Sequence, residues 1–149
     1  MIPSLFVAHG SPMVAIEDNE YARYLEELGR TFPRPRAIVL FSAHWESGVQ
    51  MASEIEDYEM IYDFSGFPDA LYQVKYPARG DEMLSRQIQQ LLAGAGIEYQ
   101  VERVRGLDHG SWTILNRIYP QADIPLIAMS VNPDLTPEEQ YRIGQALHR

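Results

Sequence analysis

Cysteine is absent from this 149-residue chain, which removes disulfides, thiolate nucleophiles and cysteine-held zinc from consideration. Any metal must be bound by imidazole and oxygen donors. Positive charge is scarce as well. Twelve Lys and Arg stand against 21 Asp and Glu, for a formal net charge of -9, and no Lys/Arg block marks a nucleic-acid footprint. Neither nucleic acid nor an anionic membrane is an expected partner. Long apolar runs are missing too. None approaches the ~20 residues of a membrane span, and the short apolar N-terminus lacks the basic flank of a secretion signal. A cytoplasmic location is the expectation.

What remains is enough chain for one domain with a sizeable core, and no staples are needed. Leu5-Phe6-Val7-Ala8 and Ala37-Ile38-Val39-Leu40-Phe41 are continuous apolar runs, the pattern of strands buried on both faces. Ile124-Pro125-Leu126-Ile127-Ala128-Met129 reads as a third strand, residues 99–104 as a fourth and residues 49–53 as a weaker one. Tyr21, Tyr24, Leu25 and Leu28 recur at helical spacing behind Asp18 or Asn19 as a cap. Residues 81–93 read as a second helix, with Leu84, Ile88, Leu91 and Leu92 on one face and Gly94 and Gly96 as stop signals. A third starts near Ser111. Thr136-Pro137-Glu138-Glu139 predicts a capped helix running to the chain end. Strands alternating with helices predict an α/β fold of three layers, a central mostly parallel or mixed sheet with helices on both faces. Residues 58–80, rich in Tyr, Phe, Pro and Gly, read as a long ordered loop able to wall a site for a flat substrate.

Three of the four histidines sit in small-residue frames after apolar runs: Ala8-His9-Gly10, Ala43-His44-Trp45 and Asp108-His109-Gly110. Imidazole is the commonest transition-metal ligand and the usual acid/base near neutral pH, and small neighbours leave room for a metal or substrate. In open α/β sheets, ligands bind outside the carboxyl ends of the strands. His9 and His44 each follow a strand-like run, so parallel neighbouring strands would bring them to one crevice, with side-chain nitrogens within ~4 Å if they share a metal. His109 stands where a loop enters a helix and is expected at the same crevice. His148 falls in a last helical turn, where a cation suits the dipole. A serine hydrolase is disfavoured, because Gly10-Ser11-Pro12 lacks the Gly-x-Ser-x-Gly elbow. No glycine-rich loop followed by Lys cradles phosphate.

His9-Gly10-Ser11-Pro12-Met13, Ser42-Ala43-His44-Trp45, Asp63-Phe64-Ser65-Gly66-Phe67-Pro68 and Asp108-His109-Gly110-Ser111-Trp112, in that order, resemble the class III extradiol ring-cleavage dioxygenases, above all the 4,5-DOPA dioxygenase branch. Weaker matches such as Phe32-Pro33-Arg34-Pro35 and Tyr76-Pro77 extend the resemblance over essentially the whole chain.

The resemblance implies a non-haem Fe(II) enzyme that opens a catechol ring with O2. His9 and His44 would be metal ligands and His109 a catalytic group at the substrate, with Asp108, Phe64 and Phe67 as substrate contacts. Zinc fits the same donors without supporting the redox chemistry. The alternative is a catalytically inactive metal-binding or assembly-only remnant of the fold. Family members are longer, and the resemblance places their remaining metal ligand and main acid/base beyond the position of Arg149. Residues 1–149 are therefore expected to form one such domain lacking its C-terminal part, to associate as a homo-oligomer or belong to a longer protein, and to show no ring cleavage alone.

Overall fold

The structure, a computed structural model, describes residues 4–148. Its frame is a four-stranded mixed sheet of β1 (Ile38–Glu46), β2 (Gln50–Ser53), β3 (Tyr99–Glu102) and β4 (Leu126–Val131), in the order β1-β4-β2-β3. β1 runs parallel to β4 and β2 parallel to β3, while β2 and β4 meet antiparallel. Around it lie a 3-10 turn (Pro12–Ala15), α1 (Glu20–Thr31), the short α2 (Asp69–Tyr72), α3 (Glu82–Gly94), α4 (His109–Ile118) and α5 (Pro137–Ala146). The α/β fold with helices on both faces is the architecture expected from the alternating pattern. No helix among the described residues is long and apolar enough to cross a membrane.

Side-chain alternation along β4 divides the core. Leu126 and Ala128 face a cluster with Trp45, Tyr58, Leu71 and Trp112. Ile127 and Met129 point the other way, onto Ile88 and Leu92 of α3 and Ile143 of α5. A third cluster joins α1 to α4 through Leu25, Leu28, Ile114 and Ile118. At that joint a Cβ on Gly29 would lie 1.9 Å from the Ile118 carbonyl oxygen, and backbone cannot yield as a side chain end would. Gly29→Ala is therefore expected to push α1 off α4 and cost about 3 kcal/mol, read as a lower denaturant midpoint. A variant as stable as the parent would show that the two helices are not packed this closely.

The caps follow the local chemistry. Asn19, Asp81, Asp108 and Thr136 each accept a backbone N–H of the first helical turn through a side-chain oxygen. At Thr136 the capping box is complete, Glu139 accepting in return from the Thr136 backbone. The α1 stripe is rotated from its expected position, since Ala22, Leu25 and Leu28 are buried while Tyr21 and Tyr24 are exposed. α4 begins at His109, two residues before the expected start, because Asp108 caps it.

Two strand expectations need correction. Residues 4–10 form no strand, and Leu5 and Phe6 are exposed. An apolar run becomes a buried strand only beside a free ladder, and among the described residues this run has no pairing partner. β1, expected to be buried on both faces, is covered on one. Val39 and Phe41 are 38% and 41% exposed, although they lie level with the covered Ile127 and Met129. The layer of α3 and α5 ends over β4.

Candidate metal centre

β1 carries the central irregularity of the site. Ser42 pairs with Ser130 and Glu46 with Val131, so Ala43, His44 and Trp45 have no counterparts on β4. Such a bulge bends the strand and re-aims its side chains. His44 is thereby turned out of the ladder into the open, its side chain exposed near the carboxyl end of β1.

His9 arrives from an irregular segment. Gly10, at φ 63°, turns the chain directly after it, a left-handed conformation in which any Cβ is strained. The Tyr21 hydroxyl donates to the Ala8 carbonyl, and Ser11 caps the turn that follows by accepting from the Met13 N–H at 3.2 Å. The expectation that His9 ends a strand adjacent to β1 is thus incorrect, yet its ring reaches the expected place.

Nε2 of His9 lies 2.8 Å from Nε2 of His44, inside the ~4 Å that a shared metal allows. His109 opens α4 and brings a third ring to the pair. Its centroid is 4.9 Å from that of His9 and 4.3 Å from that of His44. One nitrogen from each of the three lies within 4.8 Å of the others. His148 lies past the end of α5 and is not part of this group.

Burial, reinforced by His109 and His44, pushes the pKa of His9 below its ordinary value. Among the described residues, His9 Nδ1 is buried without a hydrogen-bond partner. His109 is held from outside the cluster. Asp63, in the loop before α2, accepts both the His109 backbone N–H at 3.0 Å and a contact from ring Nδ1 at 2.8 Å. Burial raises the Asp63 carboxyl, but these bonds outweigh it and hold the pKa below the usual carboxylate value. An ionised Asp63 accepts from His109 Nδ1 and so fixes the orientation of the ring.

The aromatic loop walls one side. Phe64 stands edge to face on the His109 ring at 5.6 Å, and Phe67 stands edge to face on Phe64 at 5.4 Å. Phe64 therefore adjoins the cluster and Phe67 lies one ring further out. Tyr62 and Phe64 in turn pack against Tyr72 and the buried Trp112, so much of this loop is core. Asp108, expected at the substrate, is 2% exposed and lies beneath His44. Its Oδ1 accepts from Ser42 Oγ at 2.8 Å and from the Ser111 N–H and hydroxyl at 3.2 and 3.1 Å. Its oxygens are thus engaged within the protein.

Two positions important here stay silent in the sequence alone. Asp63 is part of a motif, but its partner lies 46 residues away. Gly110 reads as a small neighbour, yet a Cβ there would meet His44 Cδ2 at 2.5 Å.

Residues 3–149 match the family described as the catalytic LigB subunit of aromatic ring-opening dioxygenase. The 4,5-DOPA dioxygenase extradiol of Escherichia coli K12 is 42% identical over 146 residues, 98% of this chain and 54% of the relative. The protein of the same description from Beta vulgaris is 42% identical over 148 residues, 97% of this chain and 55% of the relative. The chain thus spans about half the length of these relatives. A crystal structure of an uncharacterized Escherichia coli K12 protein superposes with a TM-score of 0.72 at 34% identity, over 89% of this chain and 48% of the other. By its matched family and these relatives, the chain belongs to the LigB family of aromatic ring-opening dioxygenases.

Proposed function

We propose that residues 4–148 carry the histidine side of a metal centre in an extradiol dioxygenase that opens the ring of a catechol such as DOPA with O2. The observation that supports this most is the 2.8 Å approach of the His9 and His44 Nε2 atoms, with His109 beside them. A shared cation would take the place of that nitrogen–nitrogen contact. Two donors at ~2.1 Å from one metal sit roughly 3 to 3.4 Å apart at octahedral or tetrahedral angles, so a small displacement would suffice.

The donor set fits a divalent transition metal. In a chain without thiolates, neutral imidazoles suit iron or zinc. His9 and His44 would hold the ion. Fe(II), when bound, supplies the path for electrons from catechol to oxygen, which zinc cannot. The protein's own part is acid/base and steric. With Nδ1–H donating to Asp63, the neutral form of His109 would carry a lone pair on Nε2 able to take a catechol hydroxyl proton. Phe64 offers its ring as a wall for a flat aromatic, and the exposed position of His44 leaves the crevice open for substrate entry.

The test is oxygen uptake with DOPA, catechol and protocatechuate after anaerobic Fe(II) loading, on this chain and on a polypeptide of the relatives' full length. Stoichiometric uptake with ring opening in the longer polypeptide is the expected result, lost in His9→Ala and His44→Ala. The coverage of about half the relatives' length makes a second reading specific: metal binding without catalysis. Fe(II) and catechol bound with no oxygen consumed by either polypeptide would establish that second reading instead.

A further inference from the structure

The bulge at Ala43, His44 and Trp45 removes His44 from the sheet ladder, so its backbone needs other partners. It has two. The His44 N–H donates to Ser42 Oγ at 3.2 Å, and its carbonyl accepts from an Arg105 guanidinium nitrogen at 3.2 Å. Both lead to one buried carboxylate. Ser42 Oγ donates to Asp108 Oδ1 at 2.8 Å, and the same Arg105 nitrogen lies 3.4 Å from Asp108 Oδ2. The guanidinium also sits over the Trp45 ring, 5.2 Å from its centroid. Asp108 is fixed in turn as the cap of α4, the helix whose first residue is His109. We infer that Asp108, Arg105 and Ser42 form a clamp that replaces the missing ladder and sets the position of His44 relative to His9 and His109.

The physical case is one of cost. A bulged residue whose N–H and carbonyl were free would sample several conformations, and a ligand free to move loses metal affinity to ordering entropy. Groups behind metal ligands typically change affinity 10- to 100-fold when removed. The clamp also joins two ends of the site, since the Asp108 carboxylate that anchors the His44 backbone also starts the helix that delivers His109. These three are positioning residues, because none is directed at the crevice. This inference rests on the metal reading for its consequence, but the clamp itself can be read without metal.

The experiment has two arms. In the metal-free protein, Ser42→Ala should speed hydrogen exchange of the His44 amide at least tenfold. The Ile38 amide, bonded to the Pro125 carbonyl at 2.8 Å, should keep its rate. Unchanged His44 exchange overturns the clamp. So does an equal acceleration at Ile38, which would mark general destabilisation. In the second arm, Co(II) is titrated into wild type and Arg105→Lys, which keeps the charge but loses the planar fork that spans His44, Asp108 and Trp45. A roughly tenfold weaker Co(II) affinity with an unchanged thermal midpoint is expected, and equal affinity overturns the proposal. If wild type takes up no Co(II), the metal reading fails, and the exchange arm still decides the clamp. Should Ser42→Ala not fold, Arg105→Lys is read for His44 exchange under the same criteria.

Discussion

Gly110→Ala is expected to abolish tight metal binding while leaving the fold intact. The added methyl would stand 2.5 Å from His44 Cδ2, 3.2 Å from its Nε2 and 3.3 Å from Asp108 Oδ1. Gly110 lies in the first turn of α4, where alanine is a better helix former than glycine by roughly 1 kcal/mol, so the backbone itself gains. The most severe conflict falls on the His44 ring, which is exposed and can swing outward. It can do so only by leaving His9. The expected readout is at least a 100-fold loss of Co(II) or Fe(II) affinity with an equal or higher thermal midpoint. Retained affinity would mean that His44 is not held against α4 as described.

His109→Ala carries the next largest effect, and its form separates two roles. Removing a positioned general base lowers turnover by roughly 10²- to 10⁴-fold, while metal content should fall little if His9 and His44 are the principal donors. The measurement is kcat alongside bound iron in a catalytically competent polypeptide of the relatives' length. Asp63→Asn should lie between wild type and His109→Ala, because the ring keeps its place but loses the anionic acceptor that fixes its Nδ1 proton. Equal loss of iron and turnover in His109→Ala would make His109 a third ligand, which its nitrogen within 4.8 Å of the other two also permits.

The parts of this fold governed by local chemistry were legible in the chain. The capped start at Thr136, the stop at Gly94 and Gly96, and the β4 run follow from short-range rules and stand where those rules put them. Leu5-Phe6-Val7-Ala8 form no strand, because an apolar run reports a wish to be buried, not the presence of a strand to pair with. β1 was misread for a similar reason, since coverage of Val39 and Phe41 depends on which helix reaches them. The meeting of His9, His44 and His109 could be anticipated from their shared frames. The route could not, because a bulge that frees three residues leaves no signature in Ser42-Ala43-His44-Trp45. Asp108 shows the same limit. Its place beside His109 suggested the substrate, whereas Ser42, far off in the sequence, and the nearby Arg105 engage its oxygens.

The central claim is that the imidazoles of His9 and His44 bind one metal ion. X-ray absorption at the metal edge of the iron- or zinc-loaded protein tests it most directly, because imidazole rings add a distinctive multiple-scattering signal to the first shell of nitrogen and oxygen donors at ~2.0 to 2.2 Å. The account predicts one metal per chain with at least two imidazoles, one fewer in His9→Ala and one fewer in His44→Ala. A spectrum without imidazole scattering, or one unchanged by both substitutions, would contradict it.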